Sequence, residues 1–186
     1  LERFAFVQNP WTHFSDLRRE GFEQALRERG KTPLEAYIQD ESEPEVTEKG
    51  DPYPPSLEAW VRGLPVPCGI MTDTEEMAAT LLSCARRCGR EVPDALAVVT
   101  ADQEDWFCEL SDPPLSCVPL RGERVGRRAA EILERLLRGD PPPAAPILIP
   151  PGPVVVRQSS DMLHIPNEAV RRALRYIRVH ARQRMA

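Results

Sequence analysis

No stretch of this chain approaches the roughly twenty apolar residues that a membrane-spanning helix needs, and its amino terminus lacks the basic, apolar and small-residue succession of a secretory signal. The expectation is a cytoplasmic protein with no membrane partner. Cysteine is sparse: Cys68, Cys84, Cys88, Cys108 and Cys117 are odd in number and include no CxxC pair, so neither a closed disulfide set nor a zinc site is indicated. Cys84 and Cys88, four apart in a helical pattern, read as small buried apolar residues. Histidine occurs only three times, and His13 has no obvious serine or cysteine partner, which argues against nucleophilic catalysis. A glycine-rich phosphate loop, metal-ligand spacing and an internal repeat are also missing. No pair of carboxylates stands out as acid and base, so no catalytic residue, metal or cofactor is assigned and an enzyme is not expected.

What is there is a chain of 186 residues, 41% hydrophobic and 28% charged, enough for one ordinary domain with a substantial core. The formal charge of -5 argues against wholesale nucleic-acid binding, but it is unevenly spread. The stretch QDESEPEVTEKGD is acidic, whereas the last sixteen residues hold Arg171, Arg172, Arg175, Arg178, Arg182 and Arg184 and no acid. A basic footprint is thus confined to the carboxyl-terminal end.

Apolar runs and helical periodicities alternate along the chain. RFAFV, LEAYI, CGIMT and ALAVVT read as buried strands. Between them, Phe14 to Arg29 has an inward stripe of Leu17, Phe22, Ala25 and Leu26. SLEAWVRGL begins at a serine that would cap it, and Thr74 to Cys88 turns Met77, Leu81, Leu82 and Ala85 inward. The order βαβαβαβ predicts an α/β fold with a parallel sheet covered by helices on both faces. After a loop containing Asp102 come a brief extended passage, LSCVPL, and an amphipathic helix from Glu123 to Arg138 with Val125, Ala129, Ile132, Leu133, Leu136 and Leu137 in its stripe. The prolines of ILIPPGPVVVRQ place that segment at a sheet edge or crossing. A last helix carries Val170, Ala173, Leu174 and Ile177 opposite an arginine-rich face, and it reads as the first helix of a further unit.

In a parallel sheet, the groups beyond the carboxyl ends of the strands converge on one crevice. Here those ends carry QNPWTHFSDLRR, TDTEE and ADQEDW, which brings Trp11, His13, Asp16, Arg18, Asp73, Asp102 and Trp106 together as candidates. Carboxylates accept hydrogen bonds from vicinal hydroxyls, arginine donates in a fixed fork, and an indole packs on the C–H face of a pyranose. Such a set suits a small neutral polyol such as a monosaccharide. Competing readings stand beside it: Asp73 as the cap of the following helix, Arg19 as a solvated surface charge, and the two tryptophans as packing residues.

RFAFVQNPWTHFSDLRREGFEQALRERG, CGIMTDTEEMAATLLSCARRCGREVPDALAVVTADQED and PPLSCVPLRGERVGRRAAEILERLLRGDPPPAAPILIPPGPVVVRQSS resemble the effector domain of lactose-repressor-like regulators. The tail DMLHIPNEAVRRALRYIRVHARQ resembles the junction at which the xylose-operon regulators continue into an AraC-type helix-turn-helix region. The resemblance implies a type I periplasmic-binding-protein-like fold followed by a carboxyl-terminal helix. Residues 1–160 would be a partial sugar-binding effector domain, mainly its second lobe, with 117–140 returning toward a first lobe. Residues 161–186 would be a linker and the first helix of an AraC-type DNA-binding domain.

The implied function is a sugar-responsive transcriptional activator, with D-xylose as effector, operator DNA as partner and a homodimer as the full-length assembly. Arg18 falls where the family places an arginine on sugar hydroxyls, and Asp102 falls on its carboxylate after the VV strand. Asp73 matches the TD of the xylose branch, while an ungapped comparison with the lactose-repressor branch puts Thr74 there. The family's first lobe is built mainly from sequence preceding RFAFV, and its recognition helix follows the present tail. The expectation is therefore a fragment that by itself binds sugar weakly. Rival readings are a transport-type sugar-binding protein of the same fold and a lone-lobe interaction protein.

Overall fold

The computed structural model describes residues 1–10, 13–40, 42–43, 53–101, 105–162 and 168–180. Five strands, β1 (Arg3–Gln8), β2 (Tyr37–Ile38), β3 (Cys68–Thr72), β4 (Leu96–Thr100) and β5 (Ser116–Cys117), form one sheet in the order β2-β1-β3-β4-β5. Every pairing is parallel. Arg3 to Val7 pair with Cys68 to Thr72, and these with Leu96 to Thr100, so the three central strands run out at one level. That common edge is the place where a ligand meets several strand ends at once.

Among the described residues six helices accompany the sheet: α1 (His13–Glu28), α2 (Pro55–Gly63), α3 (Glu75–Arg87), α4 (Asp105–Leu110), α5 (Gly122–Leu137) and α6 (Glu168–His180). Alternate strand residues Ala5, Val7, Cys68, Ile70, Leu96 and Val98 share one core with Leu57 and Val61 of α2 and with Met77, Leu81, Leu82 and Ala85 of α3. The inward stripe expected for α3 is buried at all four positions. Phe6 faces the other way and meets Phe22 of α1, ring centroids 5.6 Å apart.

Three local expectations need correction. Leu17 is not inward: it is 57% exposed, and only Ser15 and Leu26 of α1 are buried, because the amino-terminal turn of this polar helix is anchored through the serine hydroxyl. Ser56 does not cap α2. Pro54 precedes the helix without a side-chain cap, and the serine hydroxyl is bonded instead to the phenol of Tyr37 at 2.8 Å. The segment after Asp102 is not all loop, since α4 occupies it; six residues are too few to show a helical period in sequence.

The later crossings follow their prolines. Val155 forms an antiparallel bridge with Cys117 at the outer edge of β5, as the proline pattern of that segment requires. The backbone N–H of Gly152 donates to the carbonyl of Pro119 at 2.7 Å, so the segments on either side of α5 are tied where they meet. A Cβ on Gly152 would come within 3.1 Å of the Pro119 ring. Helix α5 itself buries no residue.

Candidate functional site

Asp73 is the first residue beyond β3 and is fully buried. Its backbone N–H continues the β1–β3 ladder to the carbonyl of Val7 at 3.2 Å. One carboxylate oxygen, Oδ2, accepts from the backbone N–H of Asn9 at 2.7 Å and from the hydroxyl of Ser15 at 2.5 Å. Arg18 donates to its backbone carbonyl. The turn after β3 is thereby stitched to the segment after β1 through both main chain and side chain. The second oxygen, Oδ1, is buried and has no donor among the described residues. A buried acceptor without a partner costs about 1–3 kcal/mol, so this oxygen is stabilised by any donor that reaches it.

Thr74 resolves one of the competing readings. It, and not Asp73, is the N-cap of α3, its hydroxyl accepting from the N–H of Met77 at 3.3 Å. The carbonyl of Thr74 is held in turn by the hydroxyl of Thr72 at 2.9 Å. The Asp73 carboxylate is therefore not committed to the helix end. Arg18 is half-buried, its guanidinium carbon 4.4 Å from the centroid of the Phe14 ring, a cation–π contact that fixes the plane of the fork.

The other candidates fall in different places. Asp16 turns to the buried Gln8, whose amide donates to it at 2.7 Å, and pairs with Arg19 at 3.6 Å. Arg19 is not the solvated charge its position suggests, since its guanidinium bonds the Gln8 amide oxygen at 2.8 Å and Glu23 at 3.2 Å. His13 is exposed at the start of α1. Trp106 is 63% exposed on α4, edge-on to Phe107. Trp11 and Asp102 lie outside the described residues. The segment before Asp102 is pinned by the N–H of Ala101 on the carbonyl of Thr72 at 3.0 Å. The structure thus brings Arg18 and Asp73 into one bonded unit with Thr74 next in chain, and assigns Asp16 to a separate network.

Sequence reasoning passed over Asn9 and Ser15, which together hold the Asp73 carboxylate. A signal was present for Ser15: with Phe22 and Leu26 it sits at helical spacing on the inward face of α1, and a hydroxyl there needs a buried partner. The thiols are the opposite case. Burial pushes Cys68 up to about 11 and Cys108 up to about 12, and it raises Cys84, whose sulfur shares a weak thiol hydrogen bond with that of Cys88 at 4.0 Å and forms no disulfide with it. These three thiols are buried in the core and serve as apolar packing. A cavity of about 890 Å³ lies at the opposite sheet edge, among Leu1, Arg3, Val66, Val156 and Met162, away from the Asp73 cluster.

A buried carboxylate and a half-buried guanidinium at the carboxyl edge of a parallel sheet are hydrogen-bonding groups suited to holding a polar ligand. The chain belongs to the periplasmic binding protein-like domain family, whose model matches residues 1–160. It is similar to the Xylose operon regulatory protein of Haemophilus influenzae, 33% identical over the whole chain and 48% of that relative, and to that of Escherichia coli K12, 35% identical over 67% of the chain and 32% of the relative. Among solved structures, one described as the xylose-binding transcription activator xylR superposes with a TM-score of 0.80 at 31% identity, over 97% of this chain and 47% of that one. A LacI family regulator from Arthrobacter sp. FB24 in complex with lactose gives 0.66 at 26% identity, over 86% of this chain and 58% of its own. The chain spans less than half the length of the xylose-operon relatives it matches. No described helix is long and apolar enough to cross a membrane.

Proposed function

We propose that this chain is the second lobe of a sugar-responsive transcriptional regulator whose effector is D-xylose, and that its carboxyl edge supplies half of an interlobe sugar site. The observation that carries the reading is the divided Asp73 carboxylate: one oxygen is saturated by Asn9 and Ser15, and the other is buried and lacks a donor. A sugar hydroxyl is a donor of the right kind, and Arg18, bonded to the same residue, offers a fork to a neighbouring hydroxyl oxygen. In this reading Arg18, Asp73 and Asp102 carry the recognition. Trp106 and Trp11 supply apolar ring faces, and Thr74, Asp16 and His13 are peripheral.

Residues 117–140 lead toward a first lobe, and residues 161–186 form a linker and the first helix of an AraC-type DNA-binding region. The apolar stripe of α5, wholly unburied, fits the surface that such a lobe would cover. Sugar contacting both lobes would favour the closed arrangement and reposition the DNA-binding regions of a homodimer on operator DNA in the cytoplasm. The names of the relatives favour this reading over a transport-type binding protein and over a lone-lobe interaction protein.

The test uses the product of the whole reading frame that contains this chain. Operator binding is measured with and without D-xylose for the parent, Arg18→Ala and Asp73→Asn. The expected outcome is a xylose-dependent change in the parent that each substitution weakens by ten-fold or more in sugar concentration, about 1.4 kcal/mol or more per residue. A parent indifferent to D-xylose contradicts the assignment of effector, and full response in both variants contradicts the assignment of site.

A further inference from the structure

Residues 155–162 form a strap that does more than close a sheet edge. Ser159 is fully buried and is bonded to both backbone groups of Val98 in β4. The Val98 N–H donates to the Ser159 carbonyl at 2.8 Å, and the Ser159 hydroxyl donates to the Val98 carbonyl at 2.7 Å. The same hydroxyl accepts the N–H of Ser116 at 2.8 Å, and the Ser159 N–H reaches the carbonyl of Pro114 at 2.9 Å. Ser116 in turn takes the Arg157 N–H on its hydroxyl at 2.7 Å. The strap therefore stands in for the upstream residues that two-residue β5 does not have.

Arg157 extends this weld to α4. Its side chain is 14% exposed, and its guanidinium donates to the carbonyl of Leu115 at 3.1 Å, to the sulfur of Cys117 at 3.2 Å and to Asp105 at 3.4 Å. The N–H of that same Leu115 donates to the carbonyl of Cys108 in α4 at 2.8 Å. One residue is thus gripped through its N–H by α4 and through its carbonyl by Arg157. Asp105, the first residue of α4, is bonded at the helix start. Beyond Arg157 the chain runs through Ser159 to Met162 and, within a few residues, into α6.

We propose that the strap is the mechanical connection between the carboxyl edge of the sheet and the segment leading to α6, and that Arg157 is its positioning residue. It holds α4 and the Leu115 main chain in register with Ser159, which is bonded to Val98 of β4. A movement of β4 or α4 on occupancy is then transmitted along Arg157 and Ser159 toward α6, and a restraint on α6 acts back on the site with the same coupling. This connection rests on the sugar reading for its signal but not for its existence, and the two are tested apart.

The experiment is hydrogen exchange on this chain as parent, Arg157→Ala, Arg157→Lys and Asp105→Asn, each with and without D-xylose. Arg157→Ala should speed exchange of the α4 amides as well as those of the strap by about tenfold or more, the equivalent of losing a buried hydrogen bond, with β1 and β3 unchanged. Arg157→Lys should fall between, because an ammonium cannot serve the three acceptors as a fork. Asp105→Asn, which alters only an exposed end of the link, should loosen α4 alone and serves if Arg157→Ala does not fold. Loosening of the strap with α4 untouched in Arg157→Ala, or an unaltered α4 in Asp105→Asn, overturns the connection. If D-xylose alters no amide of the parent while the Arg157 effect is present, the sugar reading falls and the connection stands.

Discussion

Helices α3 and α5 carry the same kind of apolar stripe and meet opposite fates. In α3 seven residues are buried, among them Met77, Leu81, Leu82 and Ala85 against the sheet; in α5 not one residue is buried, and Leu133 and Leu137 stand 57% and 80% exposed. The difference does not lie in the helices. α3 lies between β3 and β4, two central strands that pair with each other, whereas α5 follows the short edge strand β5 and is separated from the Val155 bridge by the proline-rich stretch 140–151. Amphipathic periodicity therefore reports that a helix needs a partner, and the connections on either side decide whether this chain contains it.

That comparison is broken most severely by opening the buried side. Leu81→Ala, at a fully buried position, should cost about 2–5 kcal/mol in urea unfolding. Ser159→Ala, which strands the N–H of Ser116 and the carbonyl of Val98, should cost about 1–3 kcal/mol in the same measurement. Ser15→Ala removes one of the two donors to the Asp73 carboxylate and should cost about 1–2 kcal/mol, with the Asn9 amide resonance moving because its acceptor is no longer shared.

A gentler probe is pH. The neutral thiol of Cys68 is retained in the folded chain up to about 11, against 9.0 for an ordinary thiol. Below about pH 9 both states hold the proton and the group contributes no slope. Above it the unfolded chain releases the proton first, so stability should fall as pH rises toward 11. A urea midpoint constant across that range would contradict the burial of this thiol. The smallest effect belongs to the unpartnered side. Leu136→Ala in α5 should change the stability of this chain by no more than about 0.5 kcal/mol, and markedly more in the product of the whole reading frame, where a first lobe would cover it.

Much of the sheet was legible because buried parallel strands are short apolar runs. CGIMT has the bounds of β3, and ALAVVT ends with β4 but begins one residue before it. The stripe of α3 was equally plain. α4 was not, since six residues give no period, and neither was the strap, whose bonds run from serine and arginine to distant main chain and leave no local pattern. At the candidate site, charged residues at strand ends were readable as a class, yet their division was not. Asp16, eight residues beyond β1, and Asp73, the first residue beyond β3, read in sequence as members of one strand-end set, and only packing sends the first to Gln8 and Arg19 and the second to Asn9, Ser15 and Arg18.

The central claim, that the carboxyl edge of this sheet is half of a sugar site, is tested most directly by titrating this chain with D-xylose and following its backbone amide resonances. The account predicts weak binding, with a dissociation constant above about 1 mM because half the contacts are supplied elsewhere. Shifts should centre on Asn9, Asp73 and Ala101 and be abolished by Arg18→Ala. Shifts centred instead on the opposite edge, around Val66 and Met162, or binding that survives Arg18→Ala unchanged, would contradict it.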